Sequence, residues 1–159
     1  MYKRFIYCII APILFWISGI ILEKNGDERI VPILILFGAI LFPLLAAGYK
    51  RNKLDLIKYL VVSNVIFYLV SFSYLYNDRT YHLIFLGAFL GSVIFQNATR
   101  YIFKIKISWI LMFLIAVLSA MTFIPFQLDW SYDKLGFAVF LWMIINSFPL
   151  NHQSKNLSA

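Results

Sequence analysis

The chain has 159 residues, 62% of them hydrophobic and 13% charged, and carries a net charge of +7. Soluble domains run nearer half apolar and a quarter charged, so neither a water-soluble core nor a separate soluble domain is expected. The basic residues are scattered at the ends of apolar runs and form no basic domain or stacking platform, which excludes a nucleic-acid partner.

Six apolar stretches approach the roughly 17–25 residues that a helix needs to cross a bilayer. They are residues 5–22, 30–48, 56–76, 81–103, 107–126 and 135–150. Backbone groups in lipid must be satisfied within the segment, and continuous apolar runs read as helices where a membrane β-barrel alternates. The first stretch follows the basic start MYKR and resembles a signal peptide in outline. No small-x-small cleavage site follows it, so a retained first helix is expected. The lone Cys8 lies within it, with no partner for an internal disulfide and no metal-ligand pattern around it. In the second stretch, Pro32 stands in a first turn, where its missing N–H costs nothing. Pro43 is interior and predicts a kink. The third stretch carries Asn64, Tyr68 and Ser71 on one face. The fifth carries a small face of Ala116, Ser119 and Ala120, with Pro125 at its end, and the sixth carries Asn146 and Ser147.

The fourth stretch contains GAFLGSVIFQNATR, residues 87–100. At 100° per residue, Gly87, Gly91 and Ala98 share a narrow arc of small residues, the pattern that lets two helix backbones approach closely. Beside it lies a polar arc of His82, Ser92, Gln96, Thr99 and Arg100. Leu83, Leu86, Leu90, Val93 and Ile94 fill the remaining side, which is expected to face lipid, with Asn97 among them near the inner boundary. Two readings stay open. In the structural one, Gly87 and Gly91 admit a neighbouring helix and Gln96 hydrogen-bonds to it. In the functional one, Asn64, Tyr68, Ser92, Gln96, Arg100 and Asn146 line a polar pocket. By depth, Asn64, Gln96 and Asn146 fall in the middle-to-cytoplasmic part of the membrane, and at least two of these amides are expected to meet. Arg100 stands near a helix end, where its long side chain reaches lipid phosphates.

Charge orients the spans. Lys3, Arg4, Lys50, Arg51, Lys53, Lys58, Arg100, Lys104, Lys106 and Lys155 fall on one side with a single acid, Asp55. The other side holds Lys24, Arg29, Arg79 and Lys134 against Glu23, Asp27, Glu28, Asp78, Asp129 and Asp133. Lys and Arg excess marks the cytoplasmic side. Aromatic residues agree, with Tyr74, Tyr76, Tyr81, Trp130 and Tyr132 at the outer boundary and Tyr2, Tyr49, Tyr59, Tyr101 and Trp109 at the inner one. The basic face is expected to attract anionic lipid headgroups.

Reactive constellations are missing. His82 and His152 are predicted on opposite sides of the bilayer, too far apart for a shared metal or haem. There is no CxxC, no HExxH and no acidic cluster to hold magnesium. No Asp, Glu or Lys lies mid-span to relay protons, and no selectivity-filter sequence appears. No cofactor is implied.

The expectation is an all-α, polytopic integral membrane helix bundle: one domain over residues 1–150 with six transmembrane helices, short loops and both termini cytoplasmic, then a polar tail at 151–159. Richness in Ile, Phe, Lys and Asn suggests a bacterial source and hence an inner membrane. The expected function is a non-enzymatic accessory or assembly subunit, or a homo-oligomer. A small channel or carrier for a neutral or lipidic solute, and a membrane immunity protein that binds a pore-forming toxin, are the alternatives.

Overall fold

The computed structural model describes residues 2–26, 36–47, 52–75, 82–124 and 132–152. Among these residues every regular element is helical and there is no strand. Six helices follow in order: α1 Tyr2–Asn25, α2 Leu36–Ala47, α3 Lys53–Leu75, α4 His82–Phe103, α5 Trp109–Met121 and α6 Tyr132–His152. One described helix, α4, is long and apolar enough to cross a membrane, and α2 and α5 are shorter apolar helices. Pro32, Pro125, Trp130, Tyr49, Tyr76, Tyr81, the outer hairpins and the tail beyond residue 152 lie outside the described residues.

α1 and α6 form the most extensive pair. A Cβ on Gly136 would stand 3.3 Å from Trp16 Cα and 3.4 Å from its carbonyl oxygen, so the absence of a side chain there sets how closely the two backbones approach. The Trp16 ring packs on Phe137 and Phe140. α4 packs between α3 and α5 and also touches α6, while α2 fills the space between α1 and α3. Phe95 joins the layers, with its ring stacked on Phe42 at 5.8 Å and packed against Tyr59 and Trp142.

α2 opens as a π-helix over Leu36–Leu41 and tightens to an α-helix over Phe42–Ala47. The change of pitch falls at Pro43, which has no N–H to give to the carbonyl four residues back. That carbonyl belongs to Ala39, and Asn64 Nδ2 of α3 donates to it at 3.1 Å. Asn64 thereby braces the irregular turn from outside the helix.

α5 is shorter than the apolar run predicts. Hydropathy extends from 107 to 126, but the helix runs only over Trp109–Met121. Ser108 caps its start, its hydroxyl accepting from Leu111 N at 3.2 Å. At its end Thr122 Oγ1 donates to the Ser119 carbonyl at 2.7 Å and the chain turns. Between α4 and α5, Ile105 and Ile107 point inward while Lys104 and Lys106 are exposed. Lys104 ends α4 at φ +54°, a left-handed conformation that a side chain resists. Lys104→Gly should therefore stabilise the fold by about 0.5–1 kcal/mol, read as a later midpoint in detergent unfolding; an unchanged or earlier midpoint would show the strain is absent.

The Tyr59 and Phe103 rings stand 4.7 Å apart, which brings the start of α3 beside the end of α4. Lys53, Lys58, Arg100, Lys104 and Lys106 consequently gather at one end of the molecule. Trp16 against Phe137 sets the end of α1 beside the start of α6, so Glu23, Lys24, Asp133 and Lys134 share the other.

Candidate functional site: a buried amide and hydroxyl network

Four polar side chains with no exposed surface meet at the junction of α4, α5 and α6: Ser92, Gln96, Ser119 and Asn146. Ser92 and Gln96 are four apart on α4 and share its inner face. Asn146 is the hub. Its Oδ1 accepts from Ser92 Oγ at 2.7 Å and from Gln96 Nε2 at 2.9 Å. Its Nδ2 donates to Ser119 Oγ and to the Trp142 carbonyl, each at 2.9 Å. Gln96 Nε2 also donates to the Asn146 carbonyl at 3.1 Å, and the two serine hydroxyls lie 3.4 Å apart.

The geometry assigns both amides. Reversing Gln96 would aim its oxygen at two acceptors of Asn146, so the nitrogen must face them. Both Gln96 amide hydrogens are then used, and Gln96 Oε1 is buried with no partner among the described residues. Among the described residues, none of the hydrogen bonds at Ser92 or Ser119 goes to a histidine or a carboxylate. The network is neutral throughout and consumes its donors internally. Its chemistry is that of a three-helix clamp.

A second clamp joins α3 to α4. Thr99 Oγ1 donates to the Phe95 carbonyl at 2.8 Å, which leaves it to accept from the Tyr59 hydroxyl at 3.0 Å. A third joins α6 to α4, where Trp142 Nε1 donates to the Ala88 carbonyl at 3.1 Å.

No match to this chain is found among protein-family models, curated proteins or solved structures.

Of the candidate pocket residues, the structure brings Ser92, Gln96 and Asn146 together and places the other three elsewhere. Asn64 bonds to Ala39 and to the Leu60 carbonyl of its own helix at 2.8 Å. Tyr68 is 44% exposed on the outer side of α3. Arg100 makes no hydrogen bond to the cluster; its guanidinium carbon stands 5.0 Å from the centre of the Trp109 ring, and its Nη1 is buried with no hydrogen-bond partner among the described residues. A stacked guanidinium of this kind gains about 0.5–2 kcal/mol from the ring quadrupole.

The small-residue strip is also rearranged. Gly91 is buried against α3, and Ala116 and Ala120 are fully buried on α5, but Gly87 and Ala98 are only half-buried. The fully buried small residue one turn before Ser92 is Ala88. Packing face and polar face are one face: Ile84, Ala88, Gly91, Ser92, Phe95, Gln96, Thr99 and Phe103. Leu83, Leu86, Leu90 and Ile94 are exposed opposite it. Tyr59, expected at the inner boundary, has no exposed surface. Trp142 carries no motif, but its position four before Asn146 and the need of a buried indole N–H for an acceptor are the signals that reveal it.

Proposed function

We propose that this chain is a multi-pass helix bundle of a bacterial inner membrane, with six crossings and both termini cytoplasmic, that works without catalysis as an accessory or assembly subunit through lateral helix contacts. The observation that carries the reading is the direction of polarity. Aliphatic side chains face outward along successive helices: Ile6, Ile10, Ile13, Ile17 and Ile21 on α1; Ile57, Val61, Val65 and Leu69 on α3; Leu83, Leu86, Leu90 and Ile94 on α4; Ile110, Leu114 and Leu118 on α5. The amides and hydroxyls of Ser92, Gln96, Thr99, Ser119 and Asn146 are turned inward. Soluble proteins keep apolar patches to a few hundred Å², and an outward apolar wall on four helices suits hydrocarbon. The basic end formed by Lys53, Lys58, Arg100, Lys104 and Lys106 supports the cytoplasmic assignment and contact with anionic lipids there.

The non-catalytic part of the reading is supported by the network itself, whose serines face amides where a nucleophile needs a base. Its amides are held by one another, which suits a clamp better than a conduit for solute. A stoichiometric partner retained through mild-detergent purification from native membranes at natural expression, identified by mass spectrometry, is the expected result. Purification with no partner protein, together with solute uptake by the chain alone in liposomes, would replace this reading with that of a carrier.

A further inference from the structure

α3 presents a groove of about 580 Å³ along its outer side, lined by Ile57, Val61, Asn64, Val65, Tyr68 and Leu69 among others. Two polar groups interrupt this apolar face. Both amide hydrogens of Asn64 are spent, on Ala39 and Leu60. Its Oδ1 remains an acceptor with no hydrogen bond among the described residues. The Tyr68 hydroxyl likewise bonds to nothing among them, and the ring is 44% exposed. Asn64 and Tyr68 lie about 9 and 15 Å beyond Lys58 at 1.5 Å per residue, well inside a hydrocarbon layer about 30 Å thick. Acyl chains offer neither donors nor acceptors, so each group left facing them carries a desolvation cost.

We infer that this face of α3 binds a second copy of the same chain in a parallel, two-fold pair, with the Tyr68 hydroxyl of each copy donating to Asn64 Oδ1 of the other. The inference rests on the membrane reading above. Two copies inserted the same way are related by an axis along the membrane normal, which sets the two α3 helices parallel and their Asn64 residues level. Helical side chains lean toward the helix N-terminus, so Tyr68 reaches down one turn, to the depth of Asn64. The spacing of four residues makes the face self-complementary: each copy offers one donor and one acceptor, one turn apart, neither bonded among the described residues. Val61 and Val65 supply the apolar ridge between the chains.

Single cysteines at Val61→Cys or Val65→Cys in a Cys8→Ser background, oxidised in native membranes after alkaline carbonate washing, test the pair. Cysteines across a close helix pair bridge when their Cα atoms lie within about 7 Å. A disulfide-linked species at twice the monomer mass is expected for both, and only background for Leu86→Cys and Leu90→Cys on the apolar face of α4. Adding Tyr68→Phe should weaken self-association roughly five- to tenfold, the loss of two interhelical hydrogen bonds of average strength. Retention in the washed membrane with no cross-link at 61 or 65, or with equal cross-linking at 86 and 90, overturns the pair alone and leaves this face to lipid. Release by carbonate overturns the membrane reading and the pair with it.

Discussion

Asn146→Leu should destabilise the bundle by about 2–4 kcal/mol. The substitution nearly conserves volume, so the loss comes from hydrogen bonds. Asn146 accepts from Ser92 and Gln96 and donates to Ser119, all three fully buried. Interhelical bonds in membranes contribute about 0.6 kcal/mol on average and up to about 1.7. Three lost bonds account for roughly 2 kcal/mol at that average, and the partners left buried without replacements add to it. Gln96 keeps only the Asn146 carbonyl, at 3.1 Å. Ser92→Ala removes one donor and leaves the hub's remaining bonds, so it should cost no more than about 1 kcal/mol. The pair Gln96→Leu and Asn146→Leu should be clearly less than additive, because each single change orphans the other's amide. Reversible unfolding in mixed mild-detergent and dodecyl sulfate micelles measures the four variants against the parent. An Asn146→Leu midpoint within about 0.5 kcal/mol of the parent, or strict additivity in the double variant, would show that the network holds nothing together.

How far the network was legible in sequence follows from what a helical wheel contains. Serine, glutamine and asparagine on apolar runs point inward because lipid cannot satisfy them, and Ser92, Gln96 and Asn146 do meet. Angular position on α4 is less forgiving. One residue is a 100° rotation, which is the difference between half-buried Gly87 and fully buried Ala88. Separating small from polar residues obscured that one inner face carries both. Depth alone groups Asn64 with the other amides. Its actual partner exists because Pro43 alters the hydrogen bonding of α2, a coupling between two helices that no single-helix pattern records. Tyr59 obeyed the interfacial rule by residue count, yet the facing Thr99 hydroxyl gives it a buried partner and holds it in the core. The end of α5 departs from the apolar run for a different reason. Hydropathy sums side chains and is blind both to the backbone turn at Thr122 and to the Ser108 cap that starts the helix at Trp109.

Gly91→Leu should cost about 3 kcal/mol or more, whereas Gly87→Ala should be neutral or stabilising. A Cβ at position 91 would stand 2.6 Å from Val70 Cγ2, 3.4 Å from Ile66 Cγ2 and 3.7 Å from Trp142 Cζ2. Valine in a helix holds essentially one rotamer, so Val70 cannot swing clear and α3 must move away. Overpacking of this kind typically costs about 1–3 kcal/mol, and leucine adds three carbons beyond the first clash. The displacement spreads along α3 to the Tyr59–Thr99 bond, and pressure on Trp142 threatens its bond to Ala88. Gly87 is half-buried where Gly91 is buried, and replacing glycine by alanine inside a helix gains up to about 1 kcal/mol. The opposite signs are the test. If close approach of backbones were spread over the whole glycine pair, both substitutions would destabilise together. If α4 packs through Ala88 and Gly91, only the second glycine is irreplaceable, and Gly91→Ala should fall between the two, its helix gain set against the Val70 clash. Detergent unfolding midpoints for the three variants decide it, and equal losses at 87 and 91 would mean that both glycines share the close approach.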